Sequence, residues 1–370
     1  MTTNPDARRG TRRSRALTEL NDVARALGVA TVGAALFYYL GLPAPALIGA
    51  VTATTAAALA GKLGPFPKRW RDVVFVALGS SMGSAVTAET LSGVARWPGS
   101  MVALAVAVTA MTASSYFVLR RGFGWDRTTA FYASPPGALS ATLALAATTD
   151  ADMSKVAVAQ VIRVFILTMA APIAIVATGG HAPASAAAPL IASAGAIAAV
   201  IGAGIAGALI FHRFRIPGGL MVGAFLASAI LHASGLVVGR PPWWMTLPFF
   251  VALGAIVGTR FVGLKPSLIL SLLKASLASF FVTAALGIGF AVGIGWTLGL
   301  PSAQVFVAFA PGALETMMLT AFLLGLDPAY VGAHHVARFL ALSFAVPLAA
   351  RLVGASAPAE AAPEPTDEDV

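Results

Sequence analysis

Apolar residues in this chain come in long runs with little alternation. Twelve such runs lie between about residues 26 and 350, parted by Gly, Pro or short charged loops. A helix crosses a bilayer with about 20 mostly apolar residues, and most of the runs are near that length. Strands of a lipid-facing barrel would alternate apolar and polar positions, and these runs do not. The pattern predicts an all-α polytopic membrane protein. Two runs, 128–148 and 303–325, are interrupted by Pro135-Pro136-Gly137 and by Pro311-Gly312. Proline removes a backbone donor and breaks a helix, so each of these runs predicts two half-helices around a break.

The two interruptions belong to a longer correspondence. Pro136-Gly137-Ala138-Leu139 reappears 175 positions later as Pro311-Gly312-Ala313-Leu314. At the same offset Asp152 meets Asp327, Arg163 meets Arg338 and Pro172 meets Pro347. Gly79 and Gly83 meet Gly254 and Gly258, while Pro43 and Gly49 match Pro217 and Gly223 at 174. The chain therefore reads as two homologous halves. The expected organisation is a basic cytosolic tail (1–24), membrane repeats at 25–178 and 188–352, and an acidic disordered tail (353–370). A duplicated membrane domain is a common layout of secondary transporters.

Composition agrees: 58% of residues are hydrophobic and only 11% charged, against roughly a quarter charged in soluble domains. The net charge of +9 does not imply a nucleic-acid partner, because the basic residues sit in the N-terminal tail and in short loops. That is the positive-inside pattern. The N-terminal arginines (Arg8, Arg9, Arg12, Arg13, Arg15) precede an apolar run that leads into Pro43 and a second run. No cleavable signal peptide is expected, and the N-terminus is expected in the cytoplasm with the chain in the plasma membrane. No cysteine is present, so disulfides and thiol chemistry are excluded.

Loop charge also bears on orientation. The loops carrying Lys62, Lys68, Arg69 and Arg71, and then Arg120, Arg121 and Arg127, fall inside. The loop 179–187 has no Lys or Arg and reads as external. Two full crossings between the last two would contradict this, so 128–148 is expected to re-enter and not cross. Treating 303–325 alike leaves Arg96 and Arg240 as the external loop arginines. The expectation is about ten crossings plus two re-entrant segments, with inverted halves favoured over parallel ones.

Non-helical backbone at membrane depth must be buried in protein or line a cavity. Pro136, Gly137, Pro311 and Gly312 therefore point to the interior. Each half-helix after a break presents free N–H groups and the positive end of its dipole to an anion. Ser140, Glu315 and Thr316 lie in those first turns. Arg163 and Arg338 each stand about nine residues into an otherwise uncharged apolar stretch. A central arginine costs about 2.5–3.5 kcal/mol on insertion scales and is expected to face a cavity or a partner. Asp152 and Asp327 are expected to cap helix starts. His334 is four residues before Arg338, hence on its face, with His335 beside it. These eleven positions, from Pro136 to Arg338, form the candidate substrate or ion site.

Gly79-x-x-x-Gly83, Gly254-x-x-x-Gly258 and the glycines of 202–207 and 287–295 read as close helix packing. The strings Gly79-Ser80-Ser81-Met82-Gly83 and Gly202-Ala203-Gly204-Ile205-Ala206-Gly207 match enzyme motifs, but both lie within apolar membrane runs without the strand those motifs require. The five histidines have no metal-ligand spacing. No enzyme, cofactor or metal is expected.

The Pro-Gly-x-Leu break, the Asp sixteen residues later, Gln160-Val161-Ile162-Arg163 or His335-Val336-Ala337-Arg338, and the closing proline occur in both halves. This set resembles the AbrB-duplication family of integral membrane proteins over about residues 25–352. The family favours Pro-Gly-Gly, and Ala138 and Ala313 depart from it. The resemblance implies a label as regulator of gene expression, and family members also carry the label ammonia monooxygenase. A monooxygenase needs a metal site and a transcription factor a soluble DNA-binding unit, and the residues supply neither. The expected function is secondary transport of a small anionic solute at the repeat interface. The alternatives are a membrane-bound regulator or a partner-binding membrane protein. The expected partners are the bilayer, the solute and a second copy in a homodimer.

Overall fold

The computed structural model describes residues 5–86, 97–137, 139–177, 190–216 and 218–355, with the side chains of 5–16 and 139–141 left undescribed. The first half gives α1 (Pro5–Tyr39), α2 (Pro45–Leu59), α3 (Lys68–Gly83), α4 (Trp97–Phe117), α5 (Arg127–Ala133), α6 (Leu139–Ala146) and α7 (Met153–Ala177). The second gives α8 (Ala194–Arg213), α9 (Gly219–Ala233), α10 (Trp243–Gly258), α11 (Pro266–Leu298), α12 (Ser302–Phe309), α13 (Leu314–Leu323) and α14 (Pro328–Val353). Among the described residues there is no strand, only an isolated bridge between Ile191 and Arg240.

Seven of these helices are long and apolar enough to span a membrane: α1 from Leu17, α4, α7, α8, α10, α11 and α14. Three shorter apolar helices, α2, α9 and α13, accompany them. The protein is an all-α polytopic membrane protein. Helix begins at Pro5, so most of the basic tail is the first part of α1. Arg96, the loop 179–187, Pro217 and residues 356–370 lie outside the described residues.

Both interrupted runs form paired half-helices. Asp126 caps α5 by accepting the Thr129 N–H at 2.7 Å. The chain then breaks at Pro135–Gly137 and resumes as α6. After α6 the Asp152 N–H donates to Thr129 Oγ1 at 2.8 Å, so the segment returns to the level at which it began. As expected, Asp152 and Asp327 cap α7 and α14. Asp152 Oδ1 accepts from Ser154 and Lys155 N–H, and Asp327 Oδ1 from Ala329 and Tyr330 N–H.

Small residues decide how the helices meet. A Cβ added to Gly79 would strike the carbonyl of Met221, and one on Gly83 would strike Ser228, so α3 lies against α9. A Cβ on Gly254 would strike Ala50 and the Leu47 carbonyl, and one on Gly258 would strike Thr54, so α10 lies against α2. These contacts are reciprocal: Leu47 and Thr54 correspond to Met221 and Ser228 at the offset of 174. Gly33 and Gly49 close the α1–α2 hairpin as Gly207 and Gly223 close α8–α9. Each half thus inserts its third helix into the other half's first hairpin. In the other glycine stretches, Gly204, Gly207, Gly287 and Gly295 do meet neighbours, but Gly202, Gly289 and Gly293 face open space, so the packing expectation fails for those three.

Direction is set by the same contacts. The start of α3 (Lys68, Arg71) and the end of α10 with the turn that follows it (Ile256, Thr259, Arg260) line one cavity. These corresponding helices therefore run in opposite directions. Ala58, Val161 and Phe261 cluster at that same end.

Candidate functional site

The two breaks and the two buried arginines come together in the interior. Arg163 on α7 and Arg338 on α14 are each 2% exposed, so neither reaches for the membrane surface. Their partners are the carbonyls that the breaks release from helical bonding. Arg163 Nη1 donates to Pro135 O at 3.0 Å and Nη2 to Ala133 O at 2.8 Å. Arg338 Nη1 donates to Ala310 O at 2.6 Å and Nη2 to Gly312 O at 2.8 Å. A planar fork of donors suits two carbonyls at a fixed spacing, which an ammonium does not match.

A third residue completes each brace. Gln160 Nε2 donates to Tyr132 O and Pro135 O, and its Oε1 accepts from Arg163 at 3.3 Å. In the second half the role passes to His335. Arg338 has only donors, so His335 Nδ1 accepts from it at 2.6 Å. His335 Nε2 then carries the proton and donates to Val307 O at 3.0 Å. Tyr132 and Val307 correspond at the offset of 175, as do Pro135 and Ala310. A neutral imidazole thus substitutes for an amide on the Tyr132/Val307 carbonyl, while Ala310 O is left to Arg338.

The expectation that His334 faces Arg338 gives way to this arrangement. His334 turns about 100° away. Its Nδ1 donates to Tyr330 O at 2.8 Å, its Nε2 meets Ser100 Oγ at 2.7 Å, and its ring lies 4.0 Å from that of Tyr330. It ties α14 to the start of α4 and stands apart from the break.

Pro136, Pro311 and Gly312 are buried. Gly137 has φ +94, and a Cβ there would stand 2.7 Å from Arg338 Nε, so one half's break presses on the other half's arginine. Gly312 instead faces Leu167 and Met317. Thr316 is buried and spends its hydroxyl on Ala313 O at 3.1 Å. α13 starts without a side-chain cap, which leaves its first N–H groups free of such a partner. The side chain of Ser140 lies outside the described residues.

Among the described residues no carboxylate pairs with either arginine. Among the described residues the ion pairs are Lys68–Asp72, Arg71–Asp72 and Lys155–Asp152, all away from the breaks. The charges of Arg163 and Arg338 act on each other, and neither Nε has a hydrogen-bond partner. Among the described residues these two buried cations have no counter-charge. An apolar cleft of about 650 Å³ between α4 and α14 reaches Pro135 and Arg338.

Glu315 does not join this cluster. It lines a separate polar cavity of about 450 Å³ with Arg71, His212 and Arg260. The sequence pattern leaves Arg71, Arg260 and His212 outside the site. Gln160 is legible there only as part of the Gln/His-x-x-Arg pattern. No group of three or more His, Asp or Glu that could hold a metal occurs among the described residues.

The family described as "Transition state regulatory protein AbrB" matches residues 46–354. The "Uncharacterized protein YhjN" of Bacillus subtilis (strain 168) is 27% identical over 313 residues, covering 77% of this chain and 79% of the relative. The "Putative regulator AbrB" of Escherichia coli (strain K12) is 25% identical over 342 residues, covering 88% and 94%. No solved structure matches.

Proposed function

The chain belongs to the AbrB family, and from that premise and its two buried cations we propose that it is a secondary transporter of a small anionic solute. The observation that carries the reading is the uncompensated pair Arg163 and Arg338 at the meeting of the breaks. An unpaired charge in a membrane interior is costly and marks a solute or ion path. An anion held there supplies the missing counter-charge. The half-helix starts add dipoles of the right sign. Opposed directions of α3 and α10 support inverted halves, the arrangement in which alternating access arises by rocking one half against the other. The brace residues hold the breaks open: the guanidinium groups occupy the released carbonyls and leave the N–H groups to the solute.

Lys62, Lys68, Arg71, Arg213, Arg215, Arg260 and Lys265 belong to the loops and helix ends around the polar cavity, and we place that end in the cytoplasm of a plasma-membrane protein with about ten crossings. Single cysteines at Gly64 and Arg215 should then label only after permeabilisation, and ones at Gly235 and Ser302 from outside. Labelling of Gly235 and Arg215 from one side would overturn the orientation. The transport reading is tested by uptake into proteoliposomes of a panel of small organic and inorganic anions. We expect flux of at least one, lost at least tenfold in both Arg163→Lys and Arg338→Lys. Flux equal to wild type in both variants, or flux of no anion, would sink it. The name of the Escherichia coli relative favours a regulator instead. That reading requires transcript changes on deletion that Arg338→Lys restores.

A further inference from the structure

The polar cavity around Glu315 has no part in bracing the breaks. We propose that it is a docking site for the carboxylate of a small organic acid with an apolar body, and that Glu315 is the internal carboxylate with which such an acid competes for the field of Arg260.

The cavity is walled by the start of α3, the end of α8, the start of α9, the end of α10 and the first turn of α13. Its charged and titratable groups are Lys68, Arg71, Asp72, His212, Arg260 and Glu315. Asp72 is already committed. It pairs with Lys68 at 2.5 Å and lies 4.0 Å from Arg71. Arg260 is not committed in this way. Its Nη1 is buried without a hydrogen-bond partner, and no acid lies within ion-pair distance of it among the described residues. Glu315 supplies the favourable charge that acts on Arg260, and Arg71 the unfavourable one. A guanidinium with a spare buried donor, facing a like charge, is a ready receptor for an incoming carboxylate.

The apolar part of the cavity sets the class of ligand. Phe66, Phe75, Ile216, Leu220 and Ile256 share the walls with the charges. An inorganic anion would leave this surface wet, whereas an acid with a ring or short chain covers it. A volume of about 450 Å³ falls within the usual range of small-molecule sites. Lys68, with 67% of its side chain exposed, stands at the solvent mouth. Glu315, half-buried, lines the cavity from the first turn after the second break. The site exists once only, because the positions matching Arg71, Arg260 and Glu315 in the other half are Thr246, Ala85 and Ser140.

This deepens the transport reading by naming the class of solute, and it rests on that reading for passage across the membrane once the acid has docked. Docking itself is measured without flux. The test is calorimetric titration of the purified full-length protein in nanodiscs with benzoate, with its neutral amide and with inorganic phosphate. Wild type should bind benzoate more tightly than phosphate and should not bind the amide. Arg260→Gln should weaken benzoate at least tenfold. Glu315→Gln should tighten it about threefold or more, a gain that misfolding cannot produce. Arg338→Lys should leave benzoate docking in place. Unchanged benzoate affinity in both Arg260→Gln and Glu315→Gln overturns the proposal, as does phosphate binding equal to benzoate or no binding by wild type. Docking without flux of any anion would sink the transport reading alone, and anion flux without benzoate docking would sink this one alone.

Discussion

The two broken segments solve one backbone problem with different chemistry. In the first, the released carbonyls of Tyr132, Ala133 and Pro135 are held by an arginine and an amide. In the second, those of Val307, Ala310 and Gly312 are held by an arginine and an imidazole. The first break carries no titratable brace and needs a left-handed glycine. The second carries a histidine in its brace and a glutamate in the next turn. Two of the three carbonyls correspond, Tyr132 with Val307 and Pro135 with Ala310, while the third shifts from Ala133 to Gly312, so what the duplicated element keeps is a donor on those two carbonyls. The identity of the donor is free to diverge, and titratable groups have gathered in one copy.

The sharpest test of that comparison removes each arginine. Arg338→Ala leaves Gly312 O and His335 Nδ1 without their donors, while Ala310 O keeps the Gly312 N–H. Two orphaned buried acceptors cost about 1–3 kcal/mol each, or roughly 2–6 kcal/mol together. Arg163→Ala orphans Ala133 O and Gln160 Oε1, whose bond to the arginine is the longer one at 3.3 Å, while Gln160 still serves Pro135 O, and it should cost somewhat less. Unfolding of the two variants in the same detergent measures the difference. Equal losses would mean that the two braces are energetically alike.

A smaller effect separates the glycines. Gly137→Ala places a methyl 2.7 Å from Arg338 Nε at φ +94, and the backbone term alone costs about 1–2 kcal/mol. Gly312→Ala meets the ends of Leu167 and Met317, flexible side chains that can yield, and should cost less. Melting temperatures in the reverse order would contradict the geometry at the first break. The smallest effect is expected from His335→Gln, which imports the other half's solution and keeps both a donor for Val307 O and an acceptor for Arg338. Its loss should stay below about 1 kcal/mol. His335→Leu, with neither group, should lose more, and equal losses would deny the imidazole its bracing role.

Much of this was legible in the residues. Apolar runs of membrane length gave the helices, and the Pro-Gly interruptions gave both breaks at the right place. The offset found Arg163 and Arg338 because a charge in apolar sequence must have a partner. The sequence did not show what that partner would be, since backbone carbonyls have no letter of their own. Histidine spacing misled for a related reason. Positions four apart share a face, yet His334 and His335 flank the direction of the break, and packing against Ser100 and Tyr330 decided which one turned toward it. Arg260 and Arg71 looked like loop charges because their convergence depends on α3 and α10 running in opposite directions.

The reciprocal seating of α3 and α10 has a consequence for assembly. Each half lends a helix to the other and borrows one back, as two subunits do in a swapped dimer. Neither half covers its own first hairpin with its own third helix, so each is an incomplete folding unit with a complementary mate. Two separately translated chains, cut after residue 177, should find each other in one membrane and co-purify as a stable pair. A single half made alone should pair with a second copy of itself in the opposite sense, because the surface that receives the borrowed helix is nearly the surface that its own copy would offer.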